Sequence, residues 1–316
     1  MLYKILLLPA RLFIHFYCRR IVINKKSMLR MDGPLLIASN HPNSFLDAII
    51  LATLFKKPIY SLARGDAFAG KIITKILSSF NMLPVYRITE GVRNIENNYT
   101  TFEACHDIFA KGGIVLIFSE GGCVNEWHLR PLKKGTARLA VTAWQQGVPL
   151  TVLPLGINYS SFRRLGKTVI LNFGTLINRD EVGADLSSAK QTNLFTETLR
   201  NQLTELVYEI DESDQEKLEN YFCPPSSSLK RIILSIPASA GYVCHYPLIY
   251  FIHRNIKKRA GDHYDAVMTG LLFFLYPLYV LILSVVAFFL TKNWNSFLLL
   301  LLLPLTALSF LHSKRI

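Results

Sequence analysis

The stretch Val267 to Leu290 runs for 24 residues without a charge, and it constrains this chain more than any other feature. At about 1.5 Å of rise per residue, a helix of that length crosses a hydrocarbon core of about 30 Å, so a transmembrane helix is expected. A polar turn, Thr291 to Ser296, leads into Phe297 to Leu311, 15 uncharged residues interrupted by Pro304. With Trp294 and His312 as interfacial ends, this second stretch closes a transmembrane helical hairpin, assigned to residues 263–316. Arg254, Lys257, Lys258 and Arg259 precede the hairpin and Lys314 and Arg315 follow it, against Lys292 alone in the turn. By the positive-inside rule both ends, and the domain before them, face the cytoplasm, at the inner or plasma membrane if the cell is bacterial.

The remaining charge points to the same partner. Lys and Arg number 35 against 22 Asp and Glu, a net charge of +13, while 51% of residues are hydrophobic and only 18% charged. These values exclude disorder and argue against a freely soluble globule. Residues 1–31 hold seven basic side chains and no acid. Lys4, Arg11, His15 and Arg19 fall within about 80° on a helical wheel, which predicts an amphipathic membrane-interface helix over 1–31. A secretory signal peptide competes with that reading, but Arg11 interrupts its apolar core and no small-x-small cleavage site follows. From Asn220 to Gly261 there is again no acid, and basic residues alternate with large apolar ones, as in an interfacial segment. No nucleic-acid-binding module is recognisable, so membrane lipid, not nucleic acid, is the expected anionic partner. Five Cys without a C-x-x-C pair fit a reduced compartment.

Residues 32–210 alternate short apolar runs with helical stretches, the pattern of an α/β domain with a mostly parallel central sheet flanked by helices. Strands are predicted at 35–38, 59–62, 83–86, 114–118, 151–156 and 169–173, and helices at 44–54, 71–80, 93–111, 135–146 and 192–210. Residues 211–262, with an acidic run and then Pro224-Pro225-Ser226-Ser227-Ser228, read as a linker and basic interfacial segment.

Two strand-to-loop junctions carry reactive groups. The first strand runs into Ser39-Asn40-His41-Pro42-Asn43-Ser44-Phe45-Leu46-Asp47. Ser44 is placed to cap the following helix, with Asp47 in its first turn, so imidazole and carboxylate can meet as a base and its orienter. Taken alone, the segment is equally compatible with a helix-capping Asp and a loop His. Ile114 to Phe118 leads likewise into Ser119-Glu120-Gly121-Gly122, followed by Arg130, Lys133 and Lys134. Glycines permit close backbone approach, and cations beside them can hold a phosphate. Gly65 to Lys71 fits G-x-x-x-x-G-K, but Ile72 stands where a P-loop needs Ser or Thr for magnesium. Arg64 and Gly65 are assigned instead to the lining of an acceptor site, with an Arg64–Asp66 ion pair as the competing reading. No G-x-S-x-G occurs, against a serine lipase. His245 and His253 read as interfacial side chains.

In order along the chain, His41 with Asp47, Pro84 to Arg87, Phe118 to Gly121 and Val148 to Gly156, together with Lys133-Lys134-Gly135, resemble the blocks of the phospholipid and glycerol acyltransferase family. The resemblance spans roughly residues 32–175. It implies that His41 is a general base oriented by Asp47, and that an acceptor hydroxyl attacks the thioester of acyl-CoA or acyl-carrier protein without an acyl-enzyme. It also implies that Arg87, Glu120 and Gly121 help bind a glycerol phosphate, and that no metal or cofactor is required beyond the acyl donor. Three departures stand out: five residues between His41 and Asp47 where most members have four, Ser119 in place of Pro, and Gly122-Cys123 in place of Thr-Arg. Arg130, Lys133 and Lys134 are candidates to replace the lost arginine. The spacing and Glu-Gly-Gly resemble the branch acting on glycerol-3-phosphate or dihydroxyacetone phosphate. Alternatives are acylation of 1-acylglycerol-3-phosphate, acylation of a non-phosphate hydroxylated lipid, and a lipid-binding membrane protein that retains the fold without chemistry.

Overall fold

The computed structural model describes residues 2–86, 92–222 and 228–313. Its centre is a seven-stranded sheet in the order β1-β7-β6-β2-β5-β3-β4. The strands are β1 (Cys18–Ile23), β2 (Leu35–Ser39), β3 (Ile59–Arg64), β4 (Met82–Val85), β5 (Ile114–Phe118), β6 (Thr151–Tyr159) and β7 (Lys167–Phe173). β6, β2, β5, β3 and β4 are mutually parallel, whereas β7 is antiparallel to β6 and carries β1 parallel to itself.

Alternation along the strands builds a core on each face. Leu35 and Ile37 of β2 face a layer made by α1 (Leu2–Tyr17), α2 (Phe45–Leu54), α8 (Ser228–Ile256) and α9 (Tyr264–Thr291). Leu36 and Ala38 face α4 (Val92–Ala110), α5 (Gly135–Gln145) and α6 (Ser188–Leu206). The short α3 (Lys71–Ser79) and α7 (Gln215–Phe222) complete the domain, and α10 (Leu299–Ser313) packs on α8 and α9.

The N-terminal segment departs from the sequence expectation. The helix ends at Tyr17, not near residue 31, because Cys18 to Ile23 joins the sheet against β7. Arg11, expected on a headgroup-facing stripe, instead donates from Nε to the carbonyl of Thr53 at 2.7 Å, at the carbonyl-rich end of α2. The outward face of α1 is mixed, with Ile5, Leu8 and Leu12 more than half exposed beside the exposed Lys4 and His15.

Of the expected linker and interfacial segment, residues 223–227 lie outside the described residues, and 211–222 and 228–262 are largely helical. They hold α7 and the 29-residue α8, which accommodates Pro237 and Pro247. Its C-terminal half, through Leu248, Ile252 and Ile256, enters the core. Gly241 lets α8 approach α10 so closely that an added Cβ would lie 2.4 Å from the Thr306 carbonyl oxygen.

Among the described residues, two helical segments are long and apolar enough to cross a membrane, Gly261–Thr291 and Trp294–Leu311. The first has a dual character. Ala266, Met268 and Leu272 are buried in the domain core, while Phe274, Leu278, Ile282 and Leu290 are largely exposed.

Candidate active site

β2 and β5 are parallel neighbours with Ser39 in register with Phe118, so the loops that follow them emerge side by side. This is the strand edge at which open α/β sheets bind ligands. The backbone N–H of Ser119 donates to the Ser39 carbonyl at 2.8 Å and ties the two loops at their roots.

His41 leaves β2 with its ring stacked on Phe118, centroids 3.7 Å apart and planes at 11°. Its Nδ1 lies 2.9 Å from Asp47 Oδ2. Asp47 is fully buried and accepts from three donors: the Asn43 backbone N–H at 2.9 Å, the Tyr159 hydroxyl at 2.7 Å on Oδ1, and the imidazole. A carboxylate held by three donors fixes the imidazole so that Nδ1 carries the proton and Nε2 offers its lone pair. Burial, and then the Asp47 charge, push the Tyr159 hydroxyl well above the ordinary phenol range, so it remains a donor. Among the described residues no hydroxyl or thiol hydrogen-bonds to His41 Nε2, which leaves that atom to a substrate.

Glu120 braces this loop. Its Oε2 accepts the His41 backbone N–H and its Oε1 the Arg130 backbone N–H, both at 2.9 Å. Burial raises its carboxyl above the usual range, against these two hydrogen bonds. Both oxygens are thus occupied by backbone, and the side chain holds His41 in place. Ser119, where proline was expected, accepts Thr136 Oγ1 on its own Oγ at 3.0 Å and the Lys133 N–H on its carbonyl at 2.7 Å. This brings Lys133 beside Gly121, whose positive φ of 67° and contact with the Lys133 methylenes leave no room for a Cβ.

A cavity of about 2190 Å³ opens over these groups. Arg64, Gly121, Gly122, Arg130, Lys133 and Lys134 line one part of it, and apolar side chains of α1, α2, α3 and α9 line the rest. Not all the expected cations are equally available. Arg64 is paired with Asp66, the competing sequence reading, and Arg130 Nε lies 3.3 Å from Glu126 Oε1. Lys133 and Lys134 have no ion pair among the described residues. Gly65 does not line the cavity: it is buried, and a Cβ there would meet the Tyr86 ring at 2.1 Å, so it serves packing. Arg87 lies outside the described residues.

Ser44 does not cap α2 as expected. It sits at φ 52° with no side-chain cap bond; its Oγ pairs with His263 Nδ1 at 2.8 Å and its N–H donates to Cys123 Sγ at 2.9 Å. Burial pushes the Cys123 thiol up to about 12. At pH 8 a thiol of that acidity is ionised to only about one part in 10⁴, so Cys123 should escape alkylation by iodoacetamide in the folded protein. Peptide mapping by mass spectrometry checks this, and rapid stoichiometric labelling of Cys123 would contradict it.

Sequence reasoning missed a further set of residues, all on distant elements. Asn43 Nδ2 donates to Asp265 Oδ2 of α9 at 2.6 Å. Asp265 is buried, forms an ion pair with the equally buried Lys167 and accepts the Tyr17 hydroxyl. The first hairpin helix is therefore tied to the loop that carries His41. An acidic residue at the foot of an apolar helix was the one available signal.

An acyltransferase family profile matches residues 20–158. A chloroplastic 1-acyl-sn-glycerol-3-phosphate acyltransferase of Brassica napus is 25% identical over 177 residues, 55% of this chain and 46% of the relative. A 1-acyl-sn-glycerol-3-phosphate acyltransferase of Chlamydomonas reinhardtii is 26% identical over 135 residues, 43% of this chain and 39% of its own length. The matched segment thus spans less than half of either relative. The crystal structure of the lysophosphatidate acyltransferase PlsC of Thermotoga maritima aligns with 66% of this chain and 83% of its own, at 16% identity and a TM-score of 0.45. The match begins at residue 20, within β1, and ends in β6, so it encloses the His41–Asp47 pair and the Glu120 loop. Through the sheet that carries those two loops, residues 20–158 of this chain are similar to the acyltransferase family.

Proposed function

We propose that this protein is a membrane-bound O-acyltransferase that moves an acyl chain from acyl-CoA or acyl-carrier protein to a hydroxyl of glycerol-3-phosphate or dihydroxyacetone phosphate. The observation that carries this reading is the buried Asp47 holding His41 Nδ1 at the mouth of a cavity that joins cations to apolar walls. His41 Nε2 takes the proton of the acceptor hydroxyl as its oxygen bonds to the thioester carbonyl carbon. Asp47 stabilises the imidazolium so formed. The C–S bond then breaks, and the departing thiolate takes the proton from His41. A positioned base of this kind supplies about 10²- to 10⁴-fold of rate. Lys133 and Lys134 hold the acceptor phosphate, assisted by Arg130 where Glu126 leaves a donor free. The apolar part of the cavity takes the acyl chain. A pure lipid-binding role has no use for a carboxylate-oriented imidazole facing open space.

The domain faces the cytoplasm in this reading, because the basic residues flanking the two apolar helices outnumber the single Lys292 between them. A tag after Ile316 accessible only from the opposite side of the membrane would refute that orientation.

A second acceptor has its own support. The plant and algal relatives are named for 1-acylglycerol-3-phosphate, and the cavity has apolar walls on four helices, enough for an acceptor that already carries a chain. The five-residue spacing between His41 and Asp47 favours glycerol-3-phosphate. Membranes containing the protein, supplied with labelled acyl-CoA and each acceptor in turn, decide between them. Faster labelling of glycerol-3-phosphate than of its 1-acyl derivative is expected; the reverse order assigns the second acylation step, and labelling of neutral hydroxylated lipids alone refutes both.

A further inference from the structure

A second cavity, of about 360 Å³, opens at the β6–β7 hairpin and shares no lining residue with the acyl-transfer cavity. Its size falls within the range of about 300–1,000 Å³ usual for ligand sites. Arg163 and Arg164 line it, with Arg19 beside them, and among the described residues no acidic residue does. The opposite wall is Tyr242 and Tyr246 of α8 and Phe310 of α10. Ser161 Oγ accepts the backbone N–H groups of Arg163 and Arg164 at 3.3 and 3.1 Å, which fixes the turn that presents both arginines. Arg163 is further set by the Tyr264 ring, 5.8 Å from its guanidinium carbon. The guanidinium forks of Arg163 and Arg164, presented by one turn into a cavity with no acidic lining residue among the described residues, match the oxygens of a phosphate.

The aromatic wall narrows the choice of phosphate. Phe310 lies in the last turn of α10, just before Lys314 and Arg315. Tyr242 and Tyr246 are 47% and 45% exposed, with ring centroids 5.2 Å apart. Aromatic rings and basic residues gathered at the end of an apolar helix mark the headgroup level of a bilayer. A free inorganic phosphate would gain nothing from three aromatic rings beside it. A glycerophospholipid would place its phosphate on the arginines and the start of its acyl chains along the rings and α10.

We propose that this cavity binds the phosphate headgroup of an anionic glycerophospholipid from the surrounding membrane, at a site separate from catalysis. It rests on the membrane reading of α9 and α10 and not on the acyl-transfer reaction. The test uses the full-length protein in phosphatidylcholine nanodiscs with a rising fraction of phosphatidylglycerol, and reads retained lipid by native mass spectrometry. Replacing Arg163→Gln together with Arg164→Gln is expected to weaken phosphatidylglycerol retention roughly tenfold or more, as befits the loss of charge-assisted bonds. Arg164→Gln alone, at an exposed position with no side-chain ion pair among the described residues, should give a smaller loss in the same direction and guards against misfolding of the double variant. A large excess of inorganic phosphate should leave the lipid in place. Retention equal to wild type in both variants would overturn the site, and displacement by phosphate would overturn the lipid assignment in favour of a free anion. Acyl transfer in neutral detergent micelles should be unchanged in both variants, since neither arginine lines the acyl-transfer cavity, so failure of this site and failure of the enzymatic reading give different results.

Discussion

Replacing Asp265 by Leu is expected to destabilise the protein by about 3–5 kcal/mol, the usual cost of stranding one member of a buried ion pair. Lys167 and Asp265 are both fully buried, and among the described residues the ammonium otherwise faces the rings of Tyr17 and Tyr159, at 5.4 and 6.0 Å. Without the carboxylate, Lys167 must lose its proton or draw in water. Removing both charges, Lys167→Met with Asp265→Leu, should recover much of that stability, because two well-packed apolar side chains replace a costly pair of buried ions. Activity should not recover with it. Asn43 still loses the acceptor that holds its side chain, and the Asn43 backbone N–H is one of the donors on Asp47. Thermal unfolding in detergent reads the first effect and acyl transfer the second. A single variant as stable as wild type would show that Lys167 needs no partner; a double variant with full activity would show that the α9 contact has no part in setting the loop.

His41→Ala carries the largest expected effect on the reaction. Removing the imidazole removes the base and leaves Asp47 buried with an unfilled acceptor position, so kcat should fall by at least about 10²- to 10⁴-fold. The fold should survive. The imidazole is only partly buried, its side chain 17% exposed, and the Glu120 bond that anchors this residue is made by the backbone N–H, which alanine retains. Binding of the acyl donor should therefore change little. Activity within a factor of a few of wild type would remove His41 from the mechanism.

What the sequence made legible follows from the range of each interaction. Six of the seven sheet strands and most helices came from local periodicity, and their edges hold within a few residues. His41 and Asp47 could be paired because six positions of chain join a strand end to the first turn of a helix. β1 was hidden because Cys18 to Ile23 continues an amphipathic run, and only its partner β7, about 150 residues away, makes it a strand. Tyr159 was hidden for the same reason: nothing near it in sequence shows that its hydroxyl meets Asp47, 112 positions earlier. Glu120 was found as a cavity residue, but its bonds to two backbone N–H groups were not, since a loop carboxylate next to glycines looks the same with or without them. The helix α8 was hidden within a segment expected to be a linker and interfacial stretch; packing against α10 and the core supplies the stabilisation that local propensity, with Pro237 and Pro247 inside the helix, withholds. Asp265 shows the limit most clearly. Sequence marked the hairpin as an anchor, whereas its first turns also secure the loop that carries His41.

The central claim is direct transfer: an acceptor hydroxyl, deprotonated by His41, attacks the thioester with no covalent stop on the protein. Neighbouring groups agree with it, since the Cys123 thiol is pushed up to about 12 and Ser44 Oγ is engaged by His263 and not by His41. Rapid quench of the purified protein with acyl-CoA labelled in the acyl chain tests it most directly. The label should stay on the donor while no acceptor is present, and should pass to glycerol-3-phosphate or its 1-acyl derivative once one is added. Label bound covalently to the protein before acceptor is added, or no label reaching any glycerol phosphate, would contradict the account.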